Sequence, residues 1–143
     1  IFAEEWLMPY AEALKALGST RVLVAHGKDG LDELTTTDTT YLASFWGARV
    51  IRSEIGPEQA GLKRARLADL KGGSAADNAA RLRALLAGET GPYRDIVLFN
   101  AAAALMVAGR ARDIMAGMEL ATLALTSGAA GAKLNELIAV SNR

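Results

Sequence analysis

Cysteine is absent from this chain, which excludes disulfide bonds, thiolate metal sites and cysteine nucleophiles and suits a reducing compartment. Histidine occurs once, as His26, and no nucleophile elbow accompanies it, so nothing supports a Ser-His-Asp arrangement. No Gly-x-Gly-x-x-Gly sequence is present, so dinucleotide binding is not indicated. Because no run of about 18 consecutive apolar residues occurs, we expect no membrane span.

An excess of charge of either sign is also missing, because 16 lysine and arginine residues balance 16 aspartate and glutamate residues. Nucleic acids and anionic membrane surfaces attract concentrated positive charge, so neither is expected as a partner. Hydrophobic residues make up 51% and charged residues 22% of the 143 positions, which is typical of a globular protein. A chain of this length is expected to form one domain.

The predicted elements place a short α/β unit before a run of helices. Residues 21–25 are branched and apolar without polar alternation, which predicts a strand buried on both faces. A hairpin is expected from residues 39–46 and 49–55, with Gly47-Ala48 forming a type II′ turn. Apolar side chains at helical spacing predict the face of the first helix that packs on the sheet; they are Trp6, Tyr10, Ala13, Leu14 and Leu17. Helices are predicted over residues 2–17, 75–87, 93–108, 113–126 and 129–140.

Three acidic side chains, Asp29, Asp32 and Glu33, follow the predicted strand within five positions. Like charges this close raise one another's pKa and oppose ionisation. A divalent ion such as Mg²⁺ relieves that repulsion, because it prefers carboxylate oxygens and usually shares them with a substrate phosphate. On the residues alone, a solvated acidic turn that caps a helix or strand is favoured over a metal site.

The run Asp29-Gly30-Leu31-Asp32-Glu33, preceded by His26-Gly27, resembles the magnesium-binding loop of the anthranilate phosphoribosyltransferase family. Further segments resemble that family in collinear order over nearly the whole chain. They are Ile55-Gly56-Pro57-Glu58, Gly61-Leu62, Leu70-Lys71-Gly72-Gly73, Asn78-Ala79, Gly88-Glu89-Thr90-Gly91 and the run from Arg94 to Leu105. Each segment alone is weak evidence, whereas the collinear set is specific.

The resemblance implies an α/β fold, namely the C-terminal part of the α/β domain of a nucleoside-phosphorylase/phosphoribosyltransferase-like fold, with a mixed sheet flanked by helices. It implies an enzyme that transfers the phosphoribosyl group of phosphoribosyl diphosphate to anthranilate and releases diphosphate, in tryptophan biosynthesis. In the family, the pair corresponding to Asp32 and Glu33 holds Mg²⁺ against the diphosphate, so these two residues are the expected metal ligands. We assign no catalytic residue and no other cofactor-binding residue to this chain.

Several of the family's motifs have no counterpart in this sequence: the glycine-rich diphosphate loop, the Lys-His-Gly-Asn-Arg segment and the arginine that engages anthranilate. All of them lie upstream of the Asp-Glu pair in the family. Residues 1–143 are therefore expected to be a single partial α/β domain, from a longer enzyme that also has an N-terminal helical domain. Such a piece is expected to be inactive alone and, with apolar surface uncovered, dimeric, domain-swapped or prone to aggregation. The intact enzyme is expected to be a cytoplasmic homodimer.

Other polar residues near the acidic run have structural expectations. His26, at the end of the predicted strand, is expected to be fixed by a backbone hydrogen bond. It is not expected to act as a base, because transfer from an activated diphosphate needs no strong base. Asp29 is expected to form a turn and Lys28 to be solvated. The threonines at positions 35–37, 39 and 40 are expected to favour β structure rather than to bind phosphate. Asn100, inside an apolar helix, is expected to make a structural hydrogen bond.

Two other functions remain open on the sequence. A pyrimidine-nucleoside phosphorylase, or another phosphoribosyltransferase of the same superfamily, would use the same scaffold, although the Asp-Gly-Leu-Asp-Glu run favours the anthranilate enzyme. A non-enzymatic interaction module that binds a partner protein through its apolar surface is the alternative from a different class.

Overall fold

A three-stranded antiparallel sheet lies in the middle of the computed structural model, which describes residues 1–142. Its strands are β1 (Val22–Gly27), β2 (Thr40–Phe45) and β3 (Ile51–Ile55), paired in that order. Both pairings are antiparallel, so residues 1–142 contain no parallel pair of the mixed sheet that the resemblance implies. Within these residues, only one edge of β1 is paired.

Strand β1 is less buried than its apolar sequence predicts. Val22 and Val24 are buried, whereas Leu23 and Ala25, which point to the opposite face, are only partly buried. Val22 and Val24 pack in a cluster with Leu7 and Ala11 of the first helix, whereas Leu23 and Ala25 line an open groove. The prediction of a strand buried on both faces is therefore wrong for the described chain.

The first helix begins later than predicted. A 3₁₀ turn over Glu4–Trp6 leads into α1 (Leu7–Ala16), and Pro9 falls in the first turn, where its missing N–H has no helical partner to lose. The face that packs on the sheet contains Leu7 and Ala11, both buried. The predicted face is confirmed only at Leu14, which is partly buried and packs against the same apolar residues as Leu7 and Ala11. It is wrong at Trp6, Tyr10 and Leu17, which are exposed by 50%, 53% and 83%.

The predicted hairpin is confirmed, but its connection is longer than a two-residue turn. Ser44 pairs with Ile51, and residues 46–50 form the loop between β2 and β3. Gly47 has a φ of +94°, a left-handed value that favours glycine.

Helices follow the sheet in close agreement with the sequence. They are α2 (Leu67–Leu70), α3 (Ala75–Leu86), α4 (Pro92–Val107), α5 (Ile114–Thr126) and α6 (Ala129–Ser141). The sequence prediction missed α2 and a 3₁₀ turn over Pro57–Ala60, because elements of four residues carry no periodicity. Among the described residues no single helix is long and apolar enough to span a membrane, and α5 and α6 reach that length and hydropathy only when counted together across a 67° bend.

Two apolar clusters hold the layers together, one on each face of the sheet. On one face, Leu7 and Ala11 of α1 pack against Val22, Val24 and Phe45. On the other face, α4 and α5 pack together and against the sheet. The buried members of this second cluster are Leu34, Leu42, Ala60, Leu98, Phe99, Ala102, Ala103, Met118 and Ala121. Leu34 belongs to the segment between β1 and β2, so the second cluster reaches the acidic residues.

Candidate functional site

The acidic loop, defined as residues 28–39, connects β1 to β2 and begins with a tight turn. Backbone hydrogen bonds close it: Gly30 N–H donates to the Gly27 carbonyl (2.8 Å) and Gly27 N–H donates to the Leu31 carbonyl (2.7 Å). A Cβ at position 27 would overlap Oδ1 of Asp29 and lie 3.1 Å from the Thr35 methyl group. Glycine is therefore required at position 27 for the loop to fold back on itself.

Asp29 ties the two halves of the acidic loop together. Its Oδ1 accepts from the Leu31 N–H (3.2 Å), and its Oδ2 accepts from the hydroxyls of Thr35 (2.6 Å) and Thr37. Burial raises the pKa of the Asp29 carboxyl, but the hydrogen bonds from Thr35, Thr37 and Leu31 outweigh burial and lower it overall. The predicted turn-forming role is confirmed.

Asn100 of α4 holds the middle of the loop, at Leu34. Its Oδ1 accepts from the Leu34 N–H (2.9 Å), and its Nδ2 donates to the Leu34 carbonyl (2.8 Å) and to the Ile96 carbonyl (3.0 Å). The side chain of Leu34 is buried in the cluster beneath. The expected structural hydrogen bond of Asn100 is confirmed, and it joins residues 66 positions apart.

Asp32 and Glu33 lie between these two fixed points, on the wall of an open groove of about 930 Å³ that we call the apolar groove. The residues that line it are Ile1, Phe2, Trp6, Tyr10, Leu14, Leu23, Val24, Ala25, Asp32, Glu33, Leu34, Asn100, Ala103, Ala104 and Val107. Desolvation raises the pKa of the Glu33 carboxyl, and the charges of Asp32 and Asp29 raise it further. The structure thus brings both predicted ligands to one surface.

Asp32 and Glu33 fit the kind of Mg²⁺ site in which a substrate supplies further oxygen ligands. Within residues 1–142, no group of three or more His, Cys, Asp or Glu side chains could hold a metal ion. Mg²⁺ is commonly bound by one or two carboxylates together with substrate phosphates rather than by a complete protein cage. Two consecutive acidic residues on a groove wall match that mode, and the ionised form of Glu33 is disfavoured first by burial and then by its neighbours' charge.

His26 and Lys28 are placed as expected, whereas the expected β structure of the threonines is found only at Thr40, since Thr35, Thr36, Thr37 and Thr39 lie in the loop. The His26 Nδ1–H donates to the Ile1 carbonyl (2.8 Å), which can only accept. Lys28 is exposed, whereas Thr35, Thr36 and Thr40 are fully buried and cannot reach a ligand in this form. No sequence pattern indicates that Thr35 and Thr37 are partners of Asp29, because a loop has no periodic spacing from which such pairs can be found.

Several known proteins are similar to this chain. Anthranilate phosphoribosyltransferase from Methylocella silvestris is 54% identical over 143 residues, which cover 100% of this chain and 41% of the relative. That from Rhodopseudomonas palustris strain TIE-1 is 52% identical over 141 residues, covering 99% and 42%. The resemblance seen in the sequence is confirmed, and the chain spans about two fifths of the length of these relatives.

Solved structures agree with the sequence relatives. The crystal structure of anthranilate phosphoribosyltransferase from Thermus thermophilus has a TM-score of 0.87 at 41% identity and is matched over 96% of this chain and 40% of its own. The Saccharomyces cerevisiae enzyme in complex with PRPP and Mg has a TM-score of 0.77 at 20% identity, over 89% and 37%, and so shares the fold. These likenesses confirm the α/β fold class expected from the sequence.

The family profile described as "Glycosyl transferase family, a/b domain" matches residues 1–131. This match covers the sheet, the acidic loop, the groove and all helices up to the start of α6. The chain therefore belongs to the glycosyl transferase family through its α/β domain.

Proposed function

We propose that this chain is the C-terminal part of an anthranilate phosphoribosyltransferase and that Asp32 and Glu33 are its Mg²⁺ ligands. The observation that carries the proposal is the joint position of these two carboxylates on one groove wall, in a loop held by Asp29 on one side and Asn100 on the other. The relatives that match almost all of this chain are named for that reaction. Family membership also favours an enzyme over a non-enzymatic interaction module.

In the proposed reaction, the bond between C1 of the ribose and the diphosphate oxygen breaks, and the anthranilate nitrogen forms a bond to C1 and loses a proton. Asp32 and Glu33 would hold Mg²⁺, which would supply positive charge to stabilise the departing diphosphate. The two carboxylates thus favour the leaving group without touching C1. We propose no role for His26 in the transfer, because the diphosphate is already an activated leaving group; its Nδ1–H donates to the Ile1 carbonyl.

The domain proposal rests on the apolar groove. Trp6 and Tyr10 line it and stay about half exposed, although their spacing is that of a packing face. We propose that the upstream segment of the longer chain covers this groove and supplies the diphosphate loop and the anthranilate pocket. That arrangement agrees with a chain that spans about two fifths of its relatives. It predicts that residues 1–143 alone have no turnover.

For the intact enzyme we further propose a cytoplasmic location and a homodimer built from the N-terminal helical domain. The absence of cysteine is compatible with a reducing compartment. Because the proposed dimer contacts lie outside residues 1–143, variants within this chain should leave the dimer intact. Analytical ultracentrifugation of the full-length protein tests this point.

The experiment that tests the function follows the loss of anthranilate fluorescence with phosphoribosyl diphosphate and Mg²⁺, using the full-length protein. We expect turnover by the wild type and loss of about 3–4 orders of magnitude in the Asp32→Asn/Glu33→Gln double variant, because several kcal/mol of charge stabilisation depends on the metal. The matched control is Glu5→Gln/Glu119→Gln, which removes the same charge from two exposed positions outside the groove.

Each alternative predicts a different result. Phosphorolysis of pyrimidine nucleosides without use of anthranilate would establish the phosphorylase instead. Full activity of the double variant would leave the transfer reaction in place and remove Asp32 and Glu33 as metal ligands. Turnover by residues 1–143 alone, at the rate of the full-length protein, would contradict the partial-domain proposal.

A further inference from the structure

Asn100 makes a hydrogen-bonding pattern with the acidic loop that the stability of α4 does not require. A polar side chain inside a helix satisfies itself by donating to the carbonyl four residues earlier, as Asn100 Nδ2 does with Ile96 (3.0 Å). The other donor and the acceptor are directed to the N–H and carbonyl of one residue, Leu34, in the acidic loop. The amide thereby pairs with the Leu34 backbone as a neighbouring strand would.

Leu34 is the residue that directly follows the Asp32-Glu33 pair. Its backbone is held by Asn100 and its side chain is 4% exposed, packed in the cluster with Phe99. Two independent contacts therefore fix this position, one polar and one apolar. Asn100 itself lines the same groove as the two carboxylates.

We infer that Asn100 is a positioning residue that fixes the backbone from which Asp32 and Glu33 reach the metal; this inference rests on the proposed function. Asn100 does not touch the ion. It acts by limiting the conformations of the loop before the metal and diphosphate arrive, so that ordering the loop costs less when they bind. Groups that orient metal ligands in this way commonly change metal affinity by about 10–100-fold when they are removed.

The test uses the full-length protein with the variants Asn100→Ala and Asn100→Leu, the second of which keeps the number and branching of the side-chain heavy atoms. Asn78→Ala is the matched control, because Asn78 makes the same pair of contacts with one backbone residue, accepting from Gly73 N–H (2.9 Å) and donating to the Gly73 carbonyl (3.3 Å). Mn²⁺ binding in the presence of inorganic diphosphate is followed by electron paramagnetic resonance. Amide hydrogen exchange of residues 29–36 is measured without metal.

We expect both Asn100 variants to bind Mn²⁺ about 10–100-fold more weakly, and residues 31–36 to exchange faster. We also expect the Mg²⁺ concentration for half-maximal activity to rise by a similar factor, with KM for anthranilate unchanged. Asn78→Ala should change none of these values. A merely structural role would lower the melting temperature without moving the Mn²⁺ affinity.

Two results would overturn the inference while leaving the proposed function intact. The first is Mn²⁺ affinity within threefold of wild type in both Asn100 variants. The second is unchanged exchange of residues 31–36 in both Asn100 variants, which would show that Asn100 does not fix the loop. Failure of the wild type to bind Mn²⁺ with diphosphate is a different result, because it would remove the metal site itself and the inference with it.

Discussion

Gly117 of α5 lies directly against the backbone of Ala102 of α4: a Cβ at position 117 would come within 2.7 Å of the Ala102 carbonyl oxygen and 2.9 Å of its Cα. Glycine and alanine have the smallest side chains, so the two helices can approach closely at this point. Ala102 is fully buried there. This close approach brings α5 against the helix that also carries Asn100. The packing of α5 thus supports the element that holds the acidic loop.

Substitution of Gly117 by alanine should destabilise the protein. The added methyl group meets backbone atoms that cannot move aside without separating α4 from α5, so we expect a loss of about 1–3 kcal/mol in the free energy of unfolding. The control is Gly131→Ala in α6, where nothing lies within 4 Å of the new methyl group. There we expect a gain of about 0.5–1 kcal/mol from helix propensity. Thermal unfolding of the two variants shows whether each substitution raises or lowers the stability. A Gly117→Ala variant as stable as wild type would contradict the close approach.

The buried threonines of the acidic loop should respond oppositely to valine. The Thr36 hydroxyl is buried and has no hydrogen-bond partner among the described residues, so Thr36→Val should be neutral or stabilising. Thr35→Val removes the hydroxyl that donates to Asp29 and accepts from the Thr37 N–H, and should cost about 1–3 kcal/mol. Equal effects of the two substitutions on the denaturant midpoint would show that the Asp29 contacts contribute nothing.

Asp29 should make the stability depend on pH. Its pKa lies below the ordinary value of 3.8, because the threonine hydroxyls and the Leu31 N–H favour the charged form over the opposing effect of burial. Its contribution to stability is therefore complete above the ordinary pKa and is lost as pH falls through the lower folded pKa. We expect the difference in melting temperature between wild type and Asp29→Asn to be largest near neutral pH and to shrink below about pH 4. The Thr36→Val difference, which involves no titrating group, should stay constant over that range.

The start of α3 offers a local test. Ser74 accepts from the Asp77 N–H, and Asp77 Oδ2 accepts from the Ser74 N–H in return. Ser74→Ala should cost about 1 kcal/mol and speed amide exchange in the first turn of α3. Ser127→Ala is the control, because it lies at a C-terminal helix end, where carbonyls rather than N–H groups lack partners. Unchanged exchange in α3 would show that the cap is not stabilising.

The local features of this protein follow from its sequence. Four helices lie within two residues of their predicted bounds, because caps such as Ser74 and Asp113 and glycines such as Gly88 act over one turn of chain. The hairpin and the turn-forming role of Asp29 also depend on nearby residues. The proposed metal ligands Asp32 and Glu33 are indicated by the family resemblance, because composition alone does not separate such a pair from a solvated turn.

Only the tertiary structure decided which surfaces meet. The apolar stripe of α1 predicts a packing face, yet the sheet covers Leu7 and Ala11 and leaves Trp6 and Tyr10 on an open groove, because side-chain spacing does not say which neighbour is present. The Asn100–Leu34 pairing joins residues 66 positions apart, and no local signal specifies a contact of that length. The sequence therefore determined the elements and the chemical groups of the acidic loop, whereas long-range packing decided how that loop is held, since its two anchors come from different parts of the chain.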